Sequence, residues 1–425
     1  MRPSVPQPAG AARGNRASLV LPRRPRPHRP RRPGRLQEVV PLTGTLTQDA
    51  PIWHCVHVYY HAPDKDGLLL DAVRPLLEGL RGQVEAAYVL RHWRQGPHVR
   101  INVKATSRLW EEVVRPRVDQ VVGAYLHEHP STTVLDPDES LTRHRLLAVR
   151  EQEHGPLTPW PPDNSIRDAP YDSRRHVLGS DEAVDLLTSF YTDSTPLLFA
   201  MLDHVRGGDD SKLGLAMSLM LTVAHTSHPI TRSYLSYRMH AEGYITWAAD
   251  PEATRAAFER DFRERREALT SRVRDVVAAL DDPSAPSVPS APFVREWAAL
   301  LERYRGRAGA LIDDGRLVQP TTKPGEAFEA RLGDLPVPRR EPNELQRLIF
   351  DSPAYHEAVF ADPGFLRYRV LLNYTYLHLT RMGLTPLDRF RMCHLLADAV
   401  EDVYGLSALD ALRRFAAAQE TRPGD

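Results

Sequence analysis

Apolar positions recur along this chain with two periods, and the change from one to the other divides it. From residue 52 to about residue 125, runs of alternating character interleave with runs of three- and four-residue spacing. That predicts the order strand, helix, strand, turn, strand, helix. In the last of these strands Val99, Ile101 and Val103 alternate with His98, Arg100 and Asn102, so one face is apolar and the other carries an imidazole, a guanidinium and an amide. Gln95-Gly96-Pro97 supplies the turn before it, glycine permitting a positive φ and proline fixing its own. The βαββα order implies an α+β fold opening on a ferredoxin-like antiparallel sheet, with helices on one face and an outer edge strand free to pair. The first helix, 68–77, contains Pro75, which a helix tolerates only near a kink or a second start.

Residues 127–180 hold Pro156, Pro159, Pro161, Pro162 and Pro170 and predict an irregular segment with at most short elements. Beyond Ser180-Asp181-Glu182, a good helix start, helical spacing runs almost to the end of the chain. The expected helices are 180–205, 211–225, 252–280, 292–312, 341–361, 363–382 and 386–404, with a break at 281–290 and a Pro-rich loop at 320–342. The expected organisation is an extension over 1–50, an α+β region over 51–180 and a helical region over 181–425 that completes the site.

Charge changes the picture at one end only. The 425 residues carry 55 basic and 55 acidic side chains, so bulk charge argues against a nucleic-acid binder. Residues 1–36, however, hold Arg at 2, 13, 16, 23, 24, 26, 29, 31, 32 and 35 and no acid. Repeated proline and like charges keep such a stretch from building a core, which predicts disorder. It reads as a basic arm, a non-essential extension or the product of a start codon placed upstream. No signal-peptide core or membrane-length apolar run accompanies it, so the expected location is the cytosol. Two cysteines, Cys55 and Cys393, exclude a disulfide framework and any multi-cysteine metal site.

Three stretches could carry chemistry. Tyr374, His378 and Arg381 stand at i, i+4 and i+7, sharing one helical face, with Tyr376 between them; such a face either meets water or lines a site. In 231–244, Tyr237, His240 and Glu242 form a dense polar group, either a buried hydrogen-bonded cluster or part of a site. His394, Asp398 and Glu401 share a face of the last expected helix and read as a metal half-site or an ion-paired contact. With no partner ligands evident, no metal is assigned. His240-Ala241-Glu242 resembles the His-x-Glu of zinc deaminases, but the Pro-Cys-x-x-Cys that must accompany it is absent.

The pattern Arg-x-x-x-x-Gly-Pro-His-x-Arg at 91–100, after the strand Trp53-His54-Cys55-Val56-His57-Val58-Tyr59-Tyr60, resembles the C-terminal domain of lantibiotic dehydratases, which also stands alone in thiopeptide pathways. The likeness runs loosely from about residue 50 to the end. His378, Arg381 and Gly383 resemble the family's His-Met-x-x-Asn-Arg-x-x-Gly signature, with Leu379 and Thr380 in place of Met and Asn. The stretch 231–244 resembles its Ser-x-Arg-Ser-His-Ala-Glu-x-Phe segment, with Met239 in place of the second Ser. Glutamate-eliminating members are implied to grip a glutamyl carboxylate with two arginines on alternate residues of the His-x-Arg-x-Arg strand. Here the first is Arg100 and the second is Asn102, and an amide cannot replace that charge.

That departure suits the pyridine-synthase branch of the resemblance, whose substrate is already dehydrated. The implied reaction is a formal [4+2] aza-cycloaddition of two dehydroalanines, followed by loss of water and of the leader peptide as an amide. Its electron balance asks for no cofactor. The resemblance implies Tyr374, Tyr376, His378, Arg381 and Arg100 as catalytic, and His98, Asn102, Trp93, Tyr237, His240 and Glu242 as substrate-binding. The implied partners are a leader-bearing modified precursor peptide and other enzymes of its pathway. Two alternatives stay open: a stand-alone glutamate eliminase, and a non-catalytic leader-binding protein that takes peptide as an added strand.

Overall fold

The computed structural model describes residues 50–282, 284, 290–317 and 341–420. The expected extension up to residue 49, most of the expected break at 281–290 and the loop 318–340 lie outside them.

Four strands, β1 (Ile52–Tyr59), β2 (Ala86–His92), β3 (His98–Ala105) and β4 (Ser165–Ala169), form one antiparallel sheet in the order β2-β3-β1-β4. This is the ferredoxin-like arrangement the alternation predicts. Gln95 and Gly96 take φ of 60° and 99° in the turn, as the Gly-Pro pair requires. The register sets His57 and Leu90 on either side of Arg100, Tyr59 and His92 beside His98, and Cys55 and Tyr88 beside Asn102. The apolar face joins the core through Val56, Val58, Val89, Val99, Ile101 and Val103.

Two helices cover that face, and both accommodate a proline in the same way. A π-helical turn at Leu68–Val73 runs into α1 (Arg74–Leu80), and another at Trp110–Val114 runs into α2 (Arg115–Glu128). Pro75 and Pro116 thereby fall in the first turn of a new α-helix, where the missing N–H would have no intrahelical partner.

The 127–180 segment is more ordered than expected. It contains β4 and the 15-residue helix α3 (Pro137–Glu151), capped by the Asp136 side chain with Pro137 in its first turn. The strand escapes a pattern search because Ser-Ile-Arg-Asp-Ala lacks apolar alternation, being paired only at the sheet edge.

Helices then follow as α4 (Asp181–Gly207), α5 (Lys212–Ser227), α6 (Ile230–Thr246), α7 (Pro251–Asp281), α8 (Val294–Asp313), α9 (Glu344–Phe350), α10 (Pro363–Met382), α11 (Pro386–Tyr404) and α12 (Ala408–Glu420). The single helix expected over 341–361 is instead three pieces, because Pro353 ends α9 and restarts the chain through Ser352 as cap. The outer edge of β2 is not open either. Arg381 of α10 donates through Nε to the Val89 carbonyl at 2.9 Å, and Arg91 returns a bond from its Nε to the Arg381 carbonyl at 2.8 Å. Gly383 ends α10 at φ 99°, where a Cβ would stand 2.9 Å from the Arg91 guanidinium.

Candidate active site

The polar face of the sheet is buried rather than solvated. His98 is fully enclosed, and Arg100 and Asn102 are 5% and 3% exposed. Arg100 donates from Nε to His98 Nε2 at 3.2 Å, which fixes the other ring nitrogen as the proton carrier to the Gly96 carbonyl at 2.9 Å. Nη1 lies 3.7 Å from Asp172, while Nη2 and the Asn102 amide nitrogen have no hydrogen-bond partner among the described residues. His98 stacks on His57 at 4.4 Å. Burial, with Arg100 nearby, holds His57 down at about 3 and His92 at about 4. Above them Glu153 binds His92 at 3.1 Å and Arg174 at 2.5 Å, and these contacts outweigh its burial to bring its carboxyl down to about 2.

Two residues earlier, at the end of α3, Glu151 faces a different space. It accepts from the Trp93 indole at 2.8 Å and lines a cavity of about 810 Å³ between α3, α6, α9, α10 and α11. Most of the wall is apolar and aromatic, including Met239, Tyr244, Trp247, Phe350, Phe365 and Phe390. The polar members include Glu151, His240, Asn373 and Arg389. Glu151 is exposed at the cavity rim, yet the protein around it still shields it enough to raise its carboxyl above the ordinary range, an effect Glu153 reinforces. His240 Nδ1 is 2.8 Å from the Tyr376 hydroxyl, which also lies 3.3 Å from the Cys393 sulfur. Burial, reinforced by Arg389 and Arg369, lowers His240 to about 4, so the imidazole is neutral near neutral pH. The Arg389 guanidinium covers the Tyr376 ring at 4.9 Å.

The expected face Tyr374–His378–Arg381 does not reach this cavity. At about 100° per residue, Tyr376 projects roughly 200° from Tyr374, and the two go to opposite sides of α10. Tyr374 packs on Phe190 at 4.8 Å, and His378 is fully enclosed, 4.6 Å from the Trp297 ring with Nε2 on the Met201 sulfur at 3.4 Å. Arg381 is buried without an acidic partner among the described residues. Its Nη1 and Nη2 bond Ser194 Oγ at 2.7 Å and Thr195 Oγ1 at 2.5 Å, and its charge lies over Tyr191 at 5.3 Å. Ser194 and Thr195 can accept because each donates its own hydroxyl proton back to a carbonyl of α4, just before Pro196. These three residues therefore form an interior seam, and none of them lines the cavity that Glu151 and His240 share.

Of the remaining candidates, Trp93 and His240 belong to the cavity, one through Glu151 and the other directly. Tyr237 is enclosed, donating to the Met220 carbonyl at 2.6 Å. Glu242 projects from the other side of α6, gripped by Arg255 at 2.8 and 2.6 Å. Asp398 and Glu401 both bind Arg238, so their stripe is the ion-paired contact. Among the described residues no group of three or more metal-ligating side chains converges. Sequence reasoning missed Glu151, Glu153 and Arg389. A usable signal for the first was the Asp136-Pro137 helix start, with Leu147 and Glu151 four residues apart behind it.

The sequence profile described as lantibiotic biosynthesis dehydratase C-term matches residues 53–400. Among solved structures, the chain is similar to the pyridine synthase TbtD from thiomuracin biosynthesis, at 36% identity and a TM-score of 0.67, over 84% of this chain and 99% of that one. It is also similar to TsrL, at 25% identity and a TM-score of 0.64, over 88% of this chain and 100% of that one. No curated protein matches it. The chain belongs to the lantibiotic biosynthesis dehydratase C-terminal family.

Proposed function

We propose that this protein is a pyridine synthase acting on a leader-bearing peptide that contains two dehydroalanines. The observation that carries the reading is the 810 Å³ cavity, whose apolar and aromatic walls are joined by a neutral imidazole and, at the exposed rim, a carboxyl of raised pKa. The likeness to a known pyridine synthase over nearly the whole of that chain supports it.

The chemistry needs proximity and proton traffic. Holding the two alkenes face to face can supply on the order of 7–11 kcal/mol of the barrier, and the apolar walls are suited to that task. One amide then gives up its N–H proton while its oxygen gains one, which creates a 2-azadiene. His240 is the base for that step at Nε2, its Nδ1 held by Tyr376. Arg389 steadies the oxygen as it becomes polarised. Two new carbon–carbon bonds close the ring. The adduct loses its hydroxyl as water with one ring proton, and the leader as an amide with a second, so no oxidant is consumed. Glu151, protonated more readily than an ordinary carboxyl, is the acid for the departing groups.

Incubation with a leader-bearing bis-dehydroalanine peptide tests this by mass spectrometry. A pyridine macrocycle and free leader amide are expected. Unchanged substrate, with leader binding demonstrated, defeats the reading. Glutamate elimination is the second reading, favoured by the unpartnered Nη2 of Arg100, and it predicts dehydroalanine from a glutamylated serine peptide.

A further inference from the structure

On the far side of α6 from His240 lies a second depression of about 420 Å³, walled by α6, α7, α11 and the starts of α9 and α12. Five carboxylates line it, those of Glu242, Glu259, Glu344, Asp398 and Glu401, against the two guanidiniums of Arg238 and Arg255. Both guanidiniums are already committed. Arg238 binds Asp398 at 2.5 Å and Glu401 at 2.8 Å, and Arg255 grips Glu242 with both terminal nitrogens. Arg413 covers Glu344 from outside at 2.9 Å. Three cations against five anions leave an excess of two negative charges.

Two groups in the wall have no partner for that excess. Glu259 makes no hydrogen bond or ion pair with any described residue, although it is half-buried beside Arg255. His394 is 2% exposed, its ring 5.5 Å from that of Phe258. Its Nε2 is 3.2 Å from Asp398, and among the described residues neither ring nitrogen has a hydrogen-bond partner. A buried polar atom left unpaired costs free energy, and a ligand that completes it recovers that cost. A metal is the wrong guest, because no three ligating side chains converge among the described residues. The volume would hold on the order of a dozen waters at about 30 Å³ each, enough for an extended organic cation.

We infer that this depression is a binding site for an organic cation with N–H donors, a guanidinium or a primary ammonium. Glu259 takes its charge, and the unpaired Nδ1 of His394 is the acceptor beside it. The inference does not depend on the cyclisation reading, because the site shares neither Glu151 nor His240 with the cavity. The cation belongs either to an arginine or lysine of a bound peptide or to a free small amine.

Titration calorimetry on the full chain separates these. The probes are n-butylguanidinium, n-butylammonium, butyrate, and a capped pentapeptide carrying one central arginine or alanine. Saturable binding of both cations and of the arginine peptide is expected, with none for butyrate or the alanine peptide. The Glu259→Gln variant should weaken cation binding about tenfold or more, since it removes a charge-assisted bond. Tighter binding of the arginine peptide than of butylguanidinium assigns the guest to a peptide, and equal binding assigns it to a free amine. In wild-type protein labelled with nitrogen-15 at histidine, the His394 ring signals should move on titration, which keeps the test independent of any variant's folding. Absence of saturable cation binding, undiminished binding by Glu259→Gln, or static His394 signals overturns the inference.

Discussion

The Tyr376 hydroxyl and the His240 Nδ1, 2.8 Å apart and 136 residues apart in sequence, tie α10 to α6 at the cavity wall. The bond orients an imidazole that burial keeps neutral. His240→Ala should lower turnover of the bis-dehydroalanine peptide by about 100- to 10,000-fold, the range for a lost general base. Tyr376→Phe removes one orienting bond and should cost about tenfold. Single-turnover mass spectrometry measures both. Equal, small losses from the two would remove His240 from the chemistry.

Glu151→Gln should slow expulsion of the leader more than ring closure, so that an adduct retaining the leader accumulates. Trp93→Phe takes away a hydrogen bond that favours the ionised carboxylate, so the Glu151 pKa should rise further and the alkaline limb of the pH–rate profile should move to higher pH. An unmoved limb in Trp93→Phe would assign the proton to another group.

Arg381→Lys should destabilise the fold by about 2–4 kcal/mol in urea denaturation. An ammonium cannot replace the fork that joins Val89, Ser194 and Thr195, and it remains buried without an acid. His378→Leu should change stability by less than about 1.5 kcal/mol, since Nδ1 has no partner to lose and the surroundings are apolar. Its turnover should stay near wild type. A large loss of turnover in a stable His378→Leu protein would reinstate the imidazole as a reacting group.

Asn102→Arg would restore the paired arginines of the eliminating enzymes, but it puts a second guanidinium beside Arg100 in a buried space. The substitution should cost about 3–5 kcal/mol, and glutamate should recover part of the loss in a thermal melt. Full stability without ligand would mean that the covering segment yields more readily than its contacts imply.

Acid should weaken the fold in two stages. His57, His92 and His240 have folded pKa values of about 3, 4 and 4, below the unfolded value, so the unfolded chain binds more protons and stability falls as pH drops from about 6.5 toward 4. For the enclosed His92 this amounts to roughly 3 kcal/mol. Glu153, at about 2, contributes stability above its unfolded value of 4.5 that is lost as pH falls from there toward 2. Denaturant titrations between pH 7 and pH 4, as about four steps, should show a monotonic decline; a flat profile would contradict the neutral imidazole stack.

The hairpin was legible because Val99, Ile101 and Val103 leave no other way to bury one face, and Gly96-Pro97 marks the turn. Most of the long helices were legible from spacing alone. What spacing could not supply was the cover over His98, Arg100 and Asn102, since Glu153, Asp172 and Arg174 carry no periodic signal. Nor could it orient α10. A polar residue on a helix faces water or a buried partner equally well by pattern, and the partners of Arg381, at Ser194 and Thr195, are 187 and 186 residues away in sequence. The resemblance named His378 and Arg381, and the structure shows what surrounds them; the family motif marks their positions without stating which side of the helix is open.

Helix α3 stands between α2 and β4, inserted into an order of strands whose ladders close without it. It nonetheless contributes Leu147, Arg150 and Glu151 to the cavity. Lengthening, shortening or replacing this one segment would therefore reshape the chamber and move its carboxylate while leaving every strand pair intact. A fold arranged so can change the guest it admits without being rebuilt.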